Sequence, residues 1–313
     1  MNAQDNKHTK KPATVKICDL YGSYLQRVKQ LCGETISKRK YYLKYLFAEL
    51  NISQDCDLSK LLTADSVTKF ILAYGQNHGP GSFQDMSSCI RSFLRYCHLN
   101  KILDRDFAAL IPTVHRWQLA NIPKAVSDEQ IRQLLDSIDG TSAIDLRDKA
   151  LITLLAVYGV RGVHLRRLCL NDLEWEKKII HFPATKNGLA IDQPITVETG
   201  NCLSEYLLKA RPQCSFKEVF LMGPQSVHPM TDSRNLSNII RRRFKKASIK
   251  LNEGVSYGSH GFRHAFATRL VGNIPFLELS EMLGHSNPNS TMLYSKVAFS
   301  MLQEAVISWP EEV

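Results

Sequence analysis

Residues 259–268 read SHGFRHAFAT and residues 283–294 read LGHSNPNSTMLY, and these two stretches decide how the rest of the chain is read. The first sets His260, Arg263 and His264 within five positions; the second sets His285 nine residues before Tyr294. His260 and His264, at i and i+4, have metal-ligand spacing, but the glutamate of an H-E-x-x-H motif is missing and no third ligand is evident. No metal is therefore expected. Upstream, Tyr158-Gly159-Val160-Arg161-Gly162-Val163-His164-Leu165 places Arg161 just past a helix end, and Thr185-Lys186-Asn187-Gly188 places Lys186 at a hairpin turn.

Singly, each of these residues has an ordinary reading. An arginine after a glycine is usually a surface ion-pair partner, a turn lysine is usually solvated, and a tyrosine near a helix is usually core or surface. Together they fit one chemistry. Breaking a phosphodiester without water needs a nucleophile, positive charge around the nonbridging oxygens and an acid for the leaving alkoxide. Two arginines can clamp a phosphate in bidentate fashion, histidines can donate hydrogen bonds and move protons, and a lysine can protonate a leaving 5′ oxygen. A tyrosine can attack and hold the DNA as an ester.

The order Arg, Lys, His-x-x-Arg, His, Tyr resembles the tyrosine recombinase (phage integrase) family, the group related to Cre and the Xer-type site-specific recombinases. The resemblance runs from about Ile122 to Val297 and more loosely over the helical N-terminal region. It implies that Tyr294 is the nucleophile, that Arg161 and Arg263 clamp the scissile phosphate, that His260 and His285 assist, and that Lys186 is the general acid. It implies a mainly α protein with a small β-hairpin or sheet: a two-domain clamp, a helical core-binding domain plus a catalytic domain. It also implies a homotetramer on two DNA sites, with the use of accessory proteins or a partner recombinase left open, and no cofactor. One position departs from the pattern. Three residues after the first arginine the family usually has an acid, and here stands His164.

Working outward, 313 residues suit two domains, and 44% hydrophobic with 22% charged residues can build two cores. No run of 18 apolar residues occurs and the N-terminus, MNAQDNKHTKKPATVK, has no apolar h-region, so neither a membrane span nor a secretory signal is expected. Eight scattered cysteines without a C-x-x-C pair read as reduced, mostly buried thiols of a cytoplasmic protein. Residues 1–126 carry 18 Lys and Arg against 10 Asp and Glu, whereas residues 127–313 carry 22 against 20. The basic excess lies in the first part, and duplex DNA is the polyanion it suggests.

Periodicity divides the chain into a flexible tail over 1–14, a helical core DNA-binding domain over 15–110, a linker over 111–126, a catalytic domain over 127–297 and a tail helix over 298–313. Apolar residues from Ile17 to Leu31 recur at steps of three and four. A second helix carries Lys38, Arg39, Lys40 and Lys44. A third runs from Asp65 to Gln76, and a fourth from Phe83 to His98 carries Arg91 and Arg95. These six basic residues are the candidate DNA contacts. The run Arg241–Lys246 is either a further phosphate contact or a solvated face. Ser127-Asp128-Glu129-Gln130 fits a capping box opening a helix to about Ser137. Arg147–Tyr158 reads as an apolar helix ended by Gly159, and Ile179–Pro183 and Gln193–Val197 as strands. Met301, Leu302, Ala305, Val306 and Trp309 share one helical face, which either docks on its own domain or is donated to a neighbouring protomer.

The main reading is a site-specific recombinase or integrase that cuts and rejoins strands through a 3′-phosphotyrosyl intermediate. The alternatives are a catalytically inert DNA-binding protein, an enzyme like a type IB topoisomerase, and a hydrolytic nuclease.

Overall fold

A computed structural model describes residues 16–113, 123–185, 188–223, 227–295 and 297. The tail helix expected over 298–313, the flexible tail over 1–14, and Lys186 lie outside the described residues, as do residues 114–122 of the expected linker. The chain divides into two compact units, 1–117 and 118–313.

The first unit is all helical among its described residues: α1 (Lys16–Arg27), α2 (Gly33–Glu49), α3 (Leu58–Leu61), α4 (Ala64–Asn77) and α5 (Pro80–Leu99). Apolar residues at helical spacing become its core: Ile17, Tyr21 and Leu25 of α1, Leu43 and Leu46 of α2, Val67 and Ile71 of α4, and Ile90, Phe93 and Leu94 of α5. Thr63 opens α4 with a capping box to Ser66. α5 starts three residues earlier than the sequence suggests. Pro80, which reads as part of a turn, sits in the first turn of α5, where a missing N–H costs nothing. Of the thiols, Cys18, Cys89 and Cys97 are buried, but Cys32 and Cys214 are exposed and Cys169 and Cys202 half-buried, so burial is less general than expected.

The second unit contains α6 (Asp128–Asp136), α7 (Ala143–Tyr158), α8 (Gly162–Arg167), strands β1 (Leu173–Glu174), β2 (Ile179–Phe182) and β3 (Ile191–Pro194), then α9 (Val197–Lys209), α10 (Ser233–Lys246), α11 (Ser259–Leu270) and α12 (Phe276–Met282). The protein is thus mainly helical with a small antiparallel sheet in the order β1-β2-β3. Ile180 pairs with Leu173 on one side and Gln193 on the other. The capping box at Ser127 and Gln130 is present. The strand expected over 193–197 instead ends at Pro194, because the Thr196 side chain accepts the Thr199 amide and starts α9.

α7 is the axis of this unit, with Leu151, Ile152, Leu154 and Leu155 fully buried. It begins four residues before the expected Arg147, on a second capping box between Ser142 and Asp145. Its charged first turns are buried by a partner distant in sequence. The Asp148 carboxylate, with no exposed surface, accepts from Arg147 Nε at 2.9 Å and Nη2 at 2.7 Å and from Arg243 Nε at 2.6 Å. Arg243 also donates from Nη1 to Asp145 at 2.5 Å. Burial alone would raise the Asp145 carboxyl, but hydrogen bonds from Ser142 and Arg243 hold it down at about 2. Arg243, the centre of the basic run 241–246, is therefore neither a phosphate contact nor part of a solvated face.

Asp148→Ala leaves Arg147 and Arg243 buried without their shared acceptor, a change worth about 3–5 kcal/mol. Urea unfolding of the full chain should show that loss; a change below about 1 kcal/mol would mean the network does not hold α10 on α7.

Candidate active site

α7 ends at Gly159, whose φ of +58° suits glycine, and a Cβ there would lie 2.6 Å from the Phe266 ring. The chain turns at once into α8, with Arg161 as its N-cap residue. Arg161 is half-buried and donates from Nη1 to the Gly284 carbonyl at 3.0 Å. Arg263, on α11, is 4% exposed and donates from Nη1 to the Gly159 carbonyl at 3.0 Å and from Nη2 to the Leu283 carbonyl at 2.8 Å. The same Nη2 lies 2.7 Å from His285 Nε2. Burial, with Arg161 nearby, pushes the Arg263 guanidinium down to about 10, still charged at neutral pH.

An arginine can only donate, so His285 Nε2 is the acceptor and the neutral ring carries its proton on Nδ1. That nitrogen donates to Thr291 Oγ1 at 2.6 Å, and Thr291 is fully buried. Burial, Arg263 and Arg161 together lower the His285 imidazole to about 3, which fixes it as neutral. Thr185, Gly188 and Leu189, which flank the position of Lys186 in the sequence, run beside this turn. Thr185 and Gly188 exchange hydrogen bonds at 2.9 and 3.2 Å, Gly188 is bridged to His285, and the Leu189 amide donates to the Gly284 carbonyl at 3.3 Å.

Tyr294 sits in a short turn, Met292–Tyr294, and is 2% exposed among Phe266, Ala267, Val271, Leu279 and Leu283. Burial raises its phenol above the ordinary value although Arg263 and Arg161 pull the other way. Its hydroxyl lies 2.9 Å from His264 Nδ1. The sequence reading considered His264 only as a metal ligand and missed this contact; its position directly after Arg263 on the same helix was the available signal. His260 is exposed, has no hydrogen-bond partner among the described residues, and stands with its ring centre 6.5 Å from that of His264. Its partly enclosed setting, with Arg263 and Arg161, lowers its imidazole. Arg161, Arg263, His285 and Tyr294 thus come together with His260 at the edge. Among the described residues no group of three or more His, Cys, Asp or Glu could hold a metal ion.

His164, at the position of the departure, is fully buried, and neither ring nitrogen has a hydrogen-bond partner among the described residues. Burial and the three arginines 161, 263 and 167 lower it to about 4, so it is neutral and supplies no counter-charge. Every acceptor that Arg161 and Arg263 meet among the described residues is a backbone carbonyl or the His285 ring. The two guanidinium charges are therefore uncompensated within the site. At an effective dielectric of about 20, one anionic charge at 4 Å is worth about 4 kcal/mol to each.

In the first unit, Arg39, Arg91 and Arg95 line one pocket of about 250 Å³ together with Lys29, which the sequence reading did not single out. Arg91 also donates to the Ile111 and Pro112 carbonyls and to Thr113 Oγ1. Lys38 and Lys40 are not among the residues of that pocket and are ion-paired with Asp85 and Asp19. Lys44 is exposed and makes no ion pair among the described residues.

A charged pair of guanidinium forks, neutral imidazoles and a protonated phenol can transfer a phosphoryl group to tyrosine oxygen. Comparison with known proteins defines the class further. Residues 124–301 match the phage integrase family. A Sinorhizobium fredii protein named as an integrase/recombinase, y4rA, is 30% identical over 297 residues, 93% of this chain and 70% of its own. A second from the same organism, y4rF, is 34% identical over 225 residues, 72% of this chain, and the match spans only about half (52%) of its length. Among solved structures, XerH site-specific recombinase in a post-cleavage complex with its palindromic difH substrate shares the fold, with a TM-score of 0.65, 17% identity, and coverage of 96% of this chain and 92% of that one. The chain belongs to the phage integrase family. It is a tyrosine recombinase, and members of that class are site-specific, DNA strand-transferring enzymes that work through a covalent intermediate.

Gly188 carries the tightest steric constraint in the site, since a Cβ there would lie 2.3 Å from Arg161 Nη1 and 2.9 Å from the Gly284 carbonyl. Gly188→Ala should displace the Arg161 fork and cost one charge-assisted hydrogen bond, about 1.5–3 kcal/mol or about 10- to 100-fold in strand cleavage. The melting temperature should barely move, and cleavage at the wild-type rate would show that Arg161 has room to spare.

Proposed function

We propose that this protein cuts and rejoins duplex DNA at specific sites through a 3′-phosphotyrosyl bond to Tyr294. The observation that carries the reading is the contact network linking Arg263 to His285 and Arg161 to the adjoining Gly284, with the Tyr294 phenol buried beside it. The scissile phosphate supplies the negative charge that suits two guanidinium groups held by carbonyls. Arg161 has Nε and Nη2 without partners among the described residues, so it can present a fork to the nonbridging oxygens. Arg263 holds its charge against the same group, and charge developing on phosphorus meets donors already fixed in place. Attack by the Tyr294 oxygen expels the 5′ oxygen, which Lys186 protonates. His260 donates a hydrogen bond to the phosphate from its exposed position, and His285 steadies Arg263. Because the ester conserves the bond energy, a 5′ hydroxyl from another strand can reverse the step without cofactor or metal.

Duplex DNA is the partner that the pocket of Lys29, Arg39, Arg91 and Arg95 suits, as contacts to backbone phosphates. We further propose that the protein acts as a homotetramer on two DNA sites, in the cytoplasm. Among the described residues no helix is long and apolar enough to cross a membrane.

Tyr294→Phe removes only the phenolic oxygen. It should leave DNA binding intact, change stability by about 1 kcal/mol through loss of one buried hydrogen bond, and lower single-turnover cleavage by at least about 10³-fold. Cleavage within about tenfold of wild type would assign the nucleophile elsewhere.

A further inference from the structure

Resting on that reading, the site poses a question of proton traffic: the phenol must lose a proton to attack, and the three histidines near it are not equivalent. His285 has Nε2 occupied by Arg263 and Nδ1 by Thr291, so neither nitrogen is open to the tyrosine. His260 makes no hydrogen bond among the described residues, and its ring centre is 6.5 Å from that of His264. Among the described residues, His264 is the histidine hydrogen-bonded to the nucleophile. Its Nδ1 is 2.9 Å from the Tyr294 oxygen, the ring centres are 5.7 Å apart, and the hydroxyl has no other hydrogen-bond partner among the described residues. Since the buried phenol is protonated and needs an acceptor, the O–H donates to Nδ1, and the neutral His264 ring carries its hydrogen on Nε2.

We propose that His264 is a catalytic residue that accepts the phenolic proton as Tyr294 attacks the phosphate. The Tyr294 oxygen forms the new bond to phosphorus, and the bond from phosphorus to the 5′ oxygen breaks with its electron pair. The phenolic proton passes to His264 Nδ1, giving an imidazolium, while the leaving oxygen takes a proton from Lys186, so the charge of the pair is conserved. On rejoining, an incoming 5′ hydroxyl attacks phosphorus, and His264 returns its proton to the tyrosine oxygen. Burial, His260 and Arg263 lower the His264 imidazole to about 4, so the resting ring is neutral and its Nδ1 lone pair is free to accept. The backbone that fixes Arg263 in its carbonyl cradle fixes His264 one residue on, so clamp and base share one helical turn.

The test separates a proton acceptor from a residue that merely holds the ring. His264→Asn keeps an amide oxygen near the Nδ1 position, able to accept the hydrogen bond but not the proton; His264→Ala removes both. Full-length variants are compared on a nicked suicide duplex by the rate of covalent adduct formation, with DNA binding and thermal unfolding measured alongside. Both variants should bind DNA as wild type does and form adduct about 10²–10⁴-fold more slowly. Added imidazole should restore part of the rate to His264→Ala and none to Tyr294→Phe. If the alanine variant unfolds, the asparagine variant decides alone. A His264→Asn rate within about tenfold of wild type, or a folded His264→Ala that ignores imidazole, would overturn the proposal. Absence of adduct from the wild-type protein would instead overturn the proposed function on which it rests.

Discussion

The structure of the second unit turns on how one buried guanidinium is held. Arg263 reaches Gly159, Leu283 and His285, which belong to the end of α7, the end of α12 and the turn leading to Tyr294. Both carbonyls lie at helix C-termini, where backbone acceptors are left without intrahelical partners and carry partial negative charge. The Gly284 carbonyl that receives Arg161 lies at the same end of α12. Helix ends therefore serve as the acceptors for both arginines. Displacing either helix end would strip a guanidinium of part of its acceptor set, which ties the site's geometry to the stability of the unit.

This arrangement accounts for a neutral residue at position 164. With a carbonyl holding Arg161, no carboxylate is needed to orient it, and His164 packs without a hydrogen bond among the described residues, its ring centre 6.2 Å from that of Phe182. The consequence is electrostatic. A carboxylate would satisfy part of the positive charge before a substrate arrived; carbonyl dipoles leave more of it for a phosphate. Burial, reinforced by the same positive field, suppresses protonation of His164, His264 and His285, so the imidazoles of the site are neutral.

Much of this was legible in the sequence where chemistry or local geometry demands particular residues at fixed spacing. That Arg161, the H-x-x-R box, His285 and Tyr294 belong together was readable, because phosphoryl transfer to a tyrosine asks for those residue types, and the structure does bring them together. Ser127 and Gln130 were readable because a capping box is local. What escaped depends on partners far along the chain. The expected helix began at Arg147, four residues late, and the burial of Asp145 and Asp148 was not legible because their partner Arg243 is nearly a hundred residues away. By the same pairing the run 241–246 looked like a surface feature. Pro80 read as a turn although it suits a helix start, and β3 was set too late because the cap at Thr196 competes with strand pairing. The bond between His264 and Tyr294 spans 30 residues, and its one sequence signal was the place of His264 directly after Arg263.

The central claim, that this cradle of arginines serves a covalent bond between DNA and Tyr294, is tested most directly by isolating the adduct formed on a nicked duplex. Proteolysis followed by mass spectrometry of the nucleotide-bearing peptide then identifies the linked residue. The account predicts a single modified position, Tyr294, joined through a 3′ phosphate. A nucleotide on any other residue, or cut DNA bearing a free 3′ phosphate with no peptide attached, would contradict it.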